Sequence, residues 1–211
     1  MPTRIVCVLL VFLLGTAGMQ ALAQGKKGAL DLSVFGGYYP VELEAVNAAY
    51  ADLEKQLKLD QGKDFETKYY ASAAGRYWVS QGNAFDAEIG GILFKDESGG
   101  TVNYMQLFYA GIGYSYHYYF SPFSAYAGVG LGHNWLKTER TYKSAGVSLK
   151  IQGSLWQIQP LAGIEYSFSG NASLAIEGKY VYATSLEPQR DNRNLWLRGP
   201  MVGIRFSLSI L

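Results

Sequence analysis

The stretch SAYAGVGLGHNW, Ser124 to Trp135, decides the fold, because two kinds of residue alternate strictly at its centre. Successive side chains of a β-strand point to opposite faces. From Gly128 to Gly132 one face therefore carries only glycine, and the other carries valine and leucine. Glycine in a strand interior costs about 0.5–1 kcal/mol relative to alanine. We expect the glycine face to meet a crowded interior and the other face to meet an apolar medium.

Alternation of apolar and polar residues recurs in eight segments of the chain. The segments are 30–35, 68–80, 85–93, 110–118, 123–135, 156–169, 173–182 and 202–210. The phase slips near Gly153, which predicts either a bulge or a strand that extends beyond its partner. Gln106, just before the fourth segment, lies on the apolar face.

The connections between these segments are alternately short and long. Those after the second, fourth and sixth segments are tight turns, Ser80–Asn83, Phe120–Pro122 and Ser169–Asn171. The others are longer and polar, and they include Lys95–Thr101, Thr138–Ser148 and Thr184–Asn194. Short turns at one end and long loops at the other predict an all-β fold, an eight-stranded antiparallel up-and-down transmembrane β-barrel.

The N-terminal segment, Met1–Ala23, is typical of a secretory signal peptide. Arg4 supplies a positive start, and Ala21-Leu22-Ala23 forms a small-x-small cleavage signature. The apolar run Ile5–Leu14 is too short to span a bilayer as a helix. Cys7 lies inside this run and not at the cleavage point, which argues against a lipoprotein. We expect cleavage near Ala23 and one mature barrel domain, 24–211.

The mature chain is close to electroneutral and contains no cysteine. The full chain has 18 basic and 17 acidic residues, and removal of 1–23 takes away one base, Arg4, which leaves 17 of each. Without a basic excess, nucleic acid is not an expected partner. Without cysteine, disulfides and thiolate chemistry are excluded.

The chemistry of the two strand faces separates a membrane barrel from a soluble carrier of the lipocalin kind. A surface in water would carry many charges of both signs, whereas the polar face here is mostly Gly, Ser, Ala and Gln. Small residues suit a narrow interior that also holds a few long side chains. The apolar face is nearly continuous, with tyrosine and tryptophan toward its ends, as the interfacial girdles of a membrane barrel require. We therefore place the apolar face against lipid.

Nine charged residues fall on the inward face: Asp31, Lys68, Arg76, Asp86, Glu88, Glu165, Glu177, Lys179 and Arg205. Breaking a buried ion pair costs about 3–5 kcal/mol, so these charges must balance one another. Hairpin geometry predicts that Arg76 lies opposite or near Glu88 and that Glu177 approaches Arg205. An eight-stranded lumen is just wide enough to be filled by side chains, which favours a structural network over an ion or proton path.

The connection after the first strand, Pro40–Glu66, contains apolar residues at helical spacing with charges on the other side. They are Val46, Ala49, Tyr50, Leu53 and Leu57. The pattern predicts a short helix in the first extracellular loop. A helix that packs on its own loop and on the barrel rim is favoured over a lid, a partner-binding helix or a membrane-surface helix.

Catalytic, cofactor and metal motifs are missing from the sequence. His117 and His133 are the two histidines, and neither has a metal-ligand spacing. The chain has no GxSxG motif, and its GVGLG lies within a strand and is not followed by a helix. Lipid A deacylases pair a histidine with a serine two residues later, but here the triplets are His117-Tyr118-Tyr119 and His133-Asn134-Trp135. We expect no catalytic residue, no cofactor site and no metal site.

From Leu30 to Leu211 the sequence resembles the small outer-membrane β-barrels of the OmpA, OmpX, OmpW and opacity-protein type. The resemblance rests on FSPFSAYAGVGLGHNW (120–135), PLAGIEYSFSGNASLAIEGKYVY (160–182) and the last strand, GPMVGIRFSLSIL. Gly203, Phe206 and Leu208 have the spacing of the signal read by the barrel-assembly machinery. The chain departs from that signal because it ends in Leu211 and not in an aromatic residue.

The resemblance implies a monomer in a Gram-negative-type outer membrane. Its implied partners are membrane lipid, lipopolysaccharide, the assembly machinery and an extracellular ligand. The favoured function is a non-enzymatic barrel that presents loops for surface integrity, adhesion or binding. The alternatives are a narrow channel for small hydrophobic molecules that leave sideways through the wall, and a lipid-modifying enzyme.

Overall fold

The fold is a closed barrel of eight antiparallel strands in sequence order, seen in a computed structural model. The structure describes residues 27–41, 43–66, 69–169, 171–185 and 195–210. The strands are β1 (Leu30–Tyr38), β2 (Tyr69–Ser80), β3 (Asn83–Ser98), β4 (Thr101–Phe120), β5 (Phe123–Tyr142), β6 (Val147–Ser169), β7 (Ala172–Thr184) and β8 (Trp196–Ser209). Pairing of β1 with β8 closes the barrel. This confirms the predicted fold class; the predicted signal peptide lies outside the described residues.

One helix, α1 (Glu44–Leu57), follows β1, as the sequence predicted. Lys58 ends it in a left-handed conformation, and the amide N–H of Lys58 bonds back to the helix. In the part of the chain that the structure describes, no helix is long and apolar enough to cross a bilayer.

The outward face of the barrel carries an apolar band with the height of a membrane. Along β6 the band runs from Trp156 to Tyr166. At about 3.3 Å per residue and a tilt of about 40°, that distance corresponds to roughly 25 Å along the barrel axis, which is the height expected of a transmembrane barrel. Phe108 and Trp135 border the band with Trp156 at one end, and Phe123 borders it with Tyr166 at the other.

The glycine face of β5 meets a crowded interior, as the sequence predicted. A Cβ atom on Gly130 would lie 2.8 Å from the side chain of Gln159, and one on Gly132 would collide with the ring of Tyr109. On the opposite face, Val129 and Leu131 are 41% and 55% exposed. Glycine therefore makes room for large inward side chains of neighbouring strands.

Two connections that the sequence predicted as long loops are tight turns between extended strands. Gly99 and Gly100, both with positive φ, join β3 to β4, so the interval Lys95–Thr101 is mostly strand. Likewise β5 and β6 continue through most of Thr138–Ser148 and are joined by residues 143–146. The prediction failed because these strands leave the membrane, where the apolar residues change to the inward face.

The same change of face explains the phase slip near Gly153. The β5–β6 register is continuous there, with Leu136 opposite Gly153, so there is no bulge at this point. Strand β6 extends beyond β7, whose last paired residue, Thr184, lies opposite Trp156. The second of the two predicted explanations is therefore the right one.

Candidate functional site

The half of the lumen near the short turns holds a network of buried charges. Its centre is Glu177, which accepts hydrogen bonds from Arg205 at 2.8 and 3.0 Å. Tyr126 donates to the same carboxylate at 2.7 Å, and the Lys179 ammonium lies 3.3 Å from it. Glu177 lies opposite Gly203, two residues from Arg205 on the neighbouring strand β8, so the two side chains approach each other diagonally, as the sequence predicted. The three charged side chains are at most 3% exposed, so their charges are balanced within the protein.

Three further ion pairs extend this network to other strands. Lys179 donates to both carboxylate oxygens of Glu88 at 2.8 Å, across the lumen from β7 to β3. Arg76 donates to Asp86 at 2.8 Å and lies 3.5 Å from Glu165. The register places Arg76 opposite Asp86, whereas Glu88 lies opposite Ala74. The predicted approach of Arg76 to Glu88 is thus corrected, since the partner across the turn is Asp86.

Asp31 and Lys68 stand apart from these pairs for different reasons. The Asp31 carboxylate accepts a hydrogen bond from the indole N–H of Trp78 at 2.7 Å, a neutral partner near the end of the barrel. Lys68 lies outside the described residues. We use the name lumen network for the charged residues that are joined by ion pairs: Arg76, Asp86, Glu88, Glu165, Glu177, Lys179 and Arg205.

Ser115, His117 and Asp86 come together in the lumen, but their order does not suit nucleophilic catalysis. The Ser115 hydroxyl donates to Asp86 at 3.1 Å and lies 3.2 Å from Nε2 of His117. In a catalytic triad the carboxylate binds the histidine and not the serine. Here Nδ1 of His117 has no hydrogen-bond partner among the described residues. Ser115 and His117 are at most 2% exposed, so substrate has no access to them.

The other half of the lumen is mostly apolar and is filled by the first loop. We call residues 43–66 the plug. Its buried side chains include Val46, Tyr50 and Phe65, which pack against inward residues such as Met105 and Leu136. The loop therefore lies inside the mouth of the barrel, and the predicted packing of the helix on its own loop and the barrel is confirmed.

Tyr50 fixes the helix of the plug to the wall. Its hydroxyl donates to Oγ1 of Thr138 at 3.1 Å and lies 3.3 Å from the carbonyl oxygen of Leu149. Burial raises the pKa of the Tyr50 phenol to about 12, so the phenol keeps its proton and remains a donor. The side-chain oxygen of Asn47, in the helix, accepts a hydrogen bond from the backbone N–H of Phe65 at 2.9 Å. This bond ties the helix to the part of the plug that follows it.

A buried ion pair joins the plug to β5. Nη1 of Arg140 lies 2.6 Å from Oε1 of Glu54, and the two side chains are 1% and 3% exposed. Tyr142 also donates to Glu54, and Asn103 accepts from Nε of Arg140 at 2.9 Å. The Arg140 guanidinium stacks over the rings of Tyr50 and Phe65. The plug is therefore held by charge as well as by apolar contact.

Little space remains among the charged residues of the lumen. The cavity among the charged residues has a volume of about 10 Å³ and is lined by residues that include Arg76, Glu88 and Glu177. That volume suits about one water molecule. Within the described ranges, no group of His, Cys, Asp and Glu residues could hold a metal ion.

Solved structures with the same architecture come from bacterial outer membranes. Neisserial surface protein A shares 13% identity, with a TM-score of 0.59 over 87% of this chain and all of that one. The outer membrane protein OprG from Pseudomonas aeruginosa shares 14%, with a TM-score of 0.51 over 88% and 97%. Ail, the attachment invasion locus protein of Yersinia pestis, was solved with the heparin analogue sucrose octasulfate; it shares 14%, with a TM-score of 0.51 over 86% and 99%.

This chain has the fold of the small outer-membrane barrels. No protein-family model matches its sequence, and no curated protein is significantly similar to it. At these identities the likeness concerns the fold and leaves the activity to be argued from the barrel's own residues.

Sequence reasoning missed the residues that anchor the plug of this small barrel. The sequence places Arg140 within the long polar connection Thr138–Ser148, yet its side chain is buried. If the alternation of inward and outward residues is continued beyond Trp135, Arg140 falls on the inward face, because it lies at every second position with the inward residues Leu136 and Thr138. No comparable signal identifies Glu54 as its partner, since that contact joins positions far apart in the chain.

Proposed function

We propose that the protein is a non-enzymatic outer-membrane barrel that presents an extracellular platform for binding or surface integrity. The observation that carries this proposal is the filled lumen. Charges close one half, and the plug with its apolar neighbours closes the other. A barrel filled in this way offers its outer end, and not its interior, to other molecules.

The platform is formed by two hairpins, β3–β4 and β5–β6, which rise above the apolar band. From Trp135 to Tyr142, β5 continues for seven residues, or roughly 18 Å above the band at the same rise and tilt. Several outward residues of this part are charged, among them Glu97, Glu139 and Lys150. Such a surface suits water and soluble partners.

Membrane lipid, lipopolysaccharide and the assembly machinery remain the proposed partners of the protein as a whole, and the barrel is proposed to act as a monomer.

The two alternative functions have less support. A channel for small hydrophobic molecules needs a passage, whereas the described interior is filled. A lipid-modifying enzyme needs reactive groups that face lipid. The serine and histidine that meet, Ser115 and His117, are buried in the lumen, and His133 on the outer wall lies between Trp135 and Trp156.

An epitope tag tests the proposed orientation. Residues 143–146 form an exposed turn at the plug end, and Gln81–Gly82 form the turn at the opposite end. A tag inserted after Ala145 should be detected by antibody on intact cells. The same tag after Gln81 should be detected after the outer membrane is permeabilised. The reverse pattern would overturn the proposal, and so would discrete channel steps from the purified protein in a planar bilayer.

A further inference from the structure

A hollow lies on the outer wall of the barrel, where the apolar band ends. Three rows of outward side chains cross β4, β5 and β6 there. From the band upward they are Ala110, His133 and Trp156; then Phe108, Trp135 and Ser154; then Gln106, Lys137 and Gln152. Ser154 is the small residue of the middle row, so the surface is recessed between the two tryptophans and the polar row. We call this recess the wall hollow; it belongs to a cavity of about 780 Å³ that is also lined by the inward-facing Leu136 and by Ser185, just after β7.

We propose that the wall hollow binds the phosphate-bearing headgroup of a lipid in the outer leaflet. This inference rests on the proposed location in an outer membrane. The height of the hollow supports a lipid ligand. Trp135 and Trp156 lie at the level where tryptophan marks the boundary between lipid and water. A molecule held there has its apolar part beside the band and its headgroup beside Lys137 and Gln152.

The charges around the hollow favour an anionic headgroup. Lys137 is exposed and forms no ion pair with any residue that the structure describes. The nearest acid on its own strand, Glu139, is already occupied by Ser148 at 2.6 Å and by Lys150 at 3.7 Å. Ser148 first, and then Lys150 and Lys137, hold the pKa of the Glu139 carboxyl below its ordinary value. Lys137 is therefore the cation left for an external phosphate.

Neutral groups complete the site. The amides of Gln106 and Gln152 and the hydroxyl of Ser154 line the hollow with Lys137, and each can donate to a phosphate or sugar oxygen. At its floor, His133 packs edge-on against Trp135 and Trp156 at 4.5 and 5.2 Å between ring centroids. Nδ1 of His133 is buried without a hydrogen-bond partner among the described residues.

Native mass spectrometry of the detergent-solubilised barrel can test this inference. The barrel is mixed with lipid A or with the same lipid after both phosphates are removed, and the lipid bound per barrel is counted. We expect a preference for the phosphorylated form. K137Q should reduce its binding about fivefold, which corresponds to the roughly 1 kcal/mol that one lysine contributes at an anionic lipid surface. S154W should fill the hollow and abolish the preference.

K95Q is the matched control, because Lys95 is an exposed outward lysine one row higher on β3 and outside the hollow. It should bind lipid A as the parent does. Equal loss in K137Q and K95Q, or equal binding of both lipid forms, would overturn the inference. Displacement by inorganic phosphate alone would also overturn it, since the site would then be a general anion site. Slower migration after heating in SDS reports insertion separately, so a chain that never inserts refutes the proposed function as well.

Discussion

At the scale of single residues, three inward glycines are each matched to one large side chain of a neighbouring strand. Gly132 makes room for the ring of Tyr109, Gly163 for that of Tyr126, and Gly130 for Gln159. Tyr126 and Gln159 in turn hydrogen-bond within the lumen, Tyr126 to Glu177 and Gln159 to the hydroxyl of Tyr109. The glycines thus leave the space that these large polar side chains need to fill the lumen and to form hydrogen bonds within it.

Alanine at Gly132 should destabilise the barrel by about 1–3 kcal/mol, because the added methyl group overpacks the site beside Tyr109. Gly36 on β1 is the matched control, since a Cβ atom there would meet nothing within 4 Å. G36A should be neutral or slightly stabilising. Urea unfolding of both variants in lipid vesicles measures the difference in the free energy of unfolding. Equal effects would show that the glycine face has been misread.

Replacement of Glu177 by alanine should cost about 3–5 kcal/mol, because it leaves Arg205 buried without its carboxylate. Adding R205M should recover part of the loss. E97A is the control, since Glu97 pairs with Lys143 on the exposed surface, where solvent screens the pair and its loss should change stability little. The same urea measurement applies. If E177A unfolds like E97A, the lumen network does not stabilise the barrel.

For the charged residues of the lumen network, the inward face could be predicted from the sequence, but most of the pairings could not. Parity along a strand decides whether a side chain points inward, and it placed Glu177 and Arg205 correctly on adjacent strands. Arg76 shows the first limit, because its partner across the turn depends on the exact register, which the sequence leaves open by two residues. Glu88 and Lys179 show the second, since they meet across the lumen from strands that are not neighbours.

At the scale of elements, strands β3 to β6 have two chemical zones. Within the band, apolar residues face outward and polar residues inward; above it, Leu136 and Leu155 face inward and Lys137 and Gln152 outward. The backbone alternates without interruption through this change. A prediction that assigns strands by their outward apolar residues ends each strand at the membrane boundary, because the apolar residues change face there. It therefore predicts loops where there are hairpins.

The plug should be released when its buried ion pair is broken. E54A leaves Arg140 buried without its carboxylate, and a cost of about 3–5 kcal/mol corresponds to at least a hundredfold larger population of the undocked plug. Trypsin cleavage after the exposed Lys58 measures this population, because a protease acts on the opened backbone.

D96N provides the control for the plug. Asp96 pairs with Lys63, also in the plug, at 3.2 Å, but on the exposed surface, where the expected contribution is about 0–1 kcal/mol. Cleavage of D96N should therefore match that of the parent. If E54A is cleaved no faster than D96N, then apolar packing of Val46, Tyr50 and Phe65 holds the plug by itself.

At the scale of the whole molecule, the barrel divides into a band in lipid and an outer part in water. Exposure alone does not separate the two, because large apolar residues are exposed in both. Leu93 is 75% exposed and Val129 is 41% exposed, yet the register places Leu93 level with Gln106 and Lys137, above the aromatic border. Height along the barrel, and not exposure, decides which of them faces lipid.

Arginine at these two positions tests the division. V129R puts a charge near the middle of the band, where it should destabilise the folded barrel by about 2–4 kcal/mol, because the guanidinium has to leave water. L93R puts the same charge on a more exposed residue of the outer part, where it stays hydrated and should cost little. Folding into lipid vesicles, followed by the shift of SDS mobility on heating and by urea titration, gives both values. Equal destabilisation would place the border of the membrane above Leu93, and the polar rows of β4 to β6 would then lie in lipid. A folded, monodisperse sample of the parent in plain buffer would contradict the division altogether, since a band of this size cannot stay in water as a monomer.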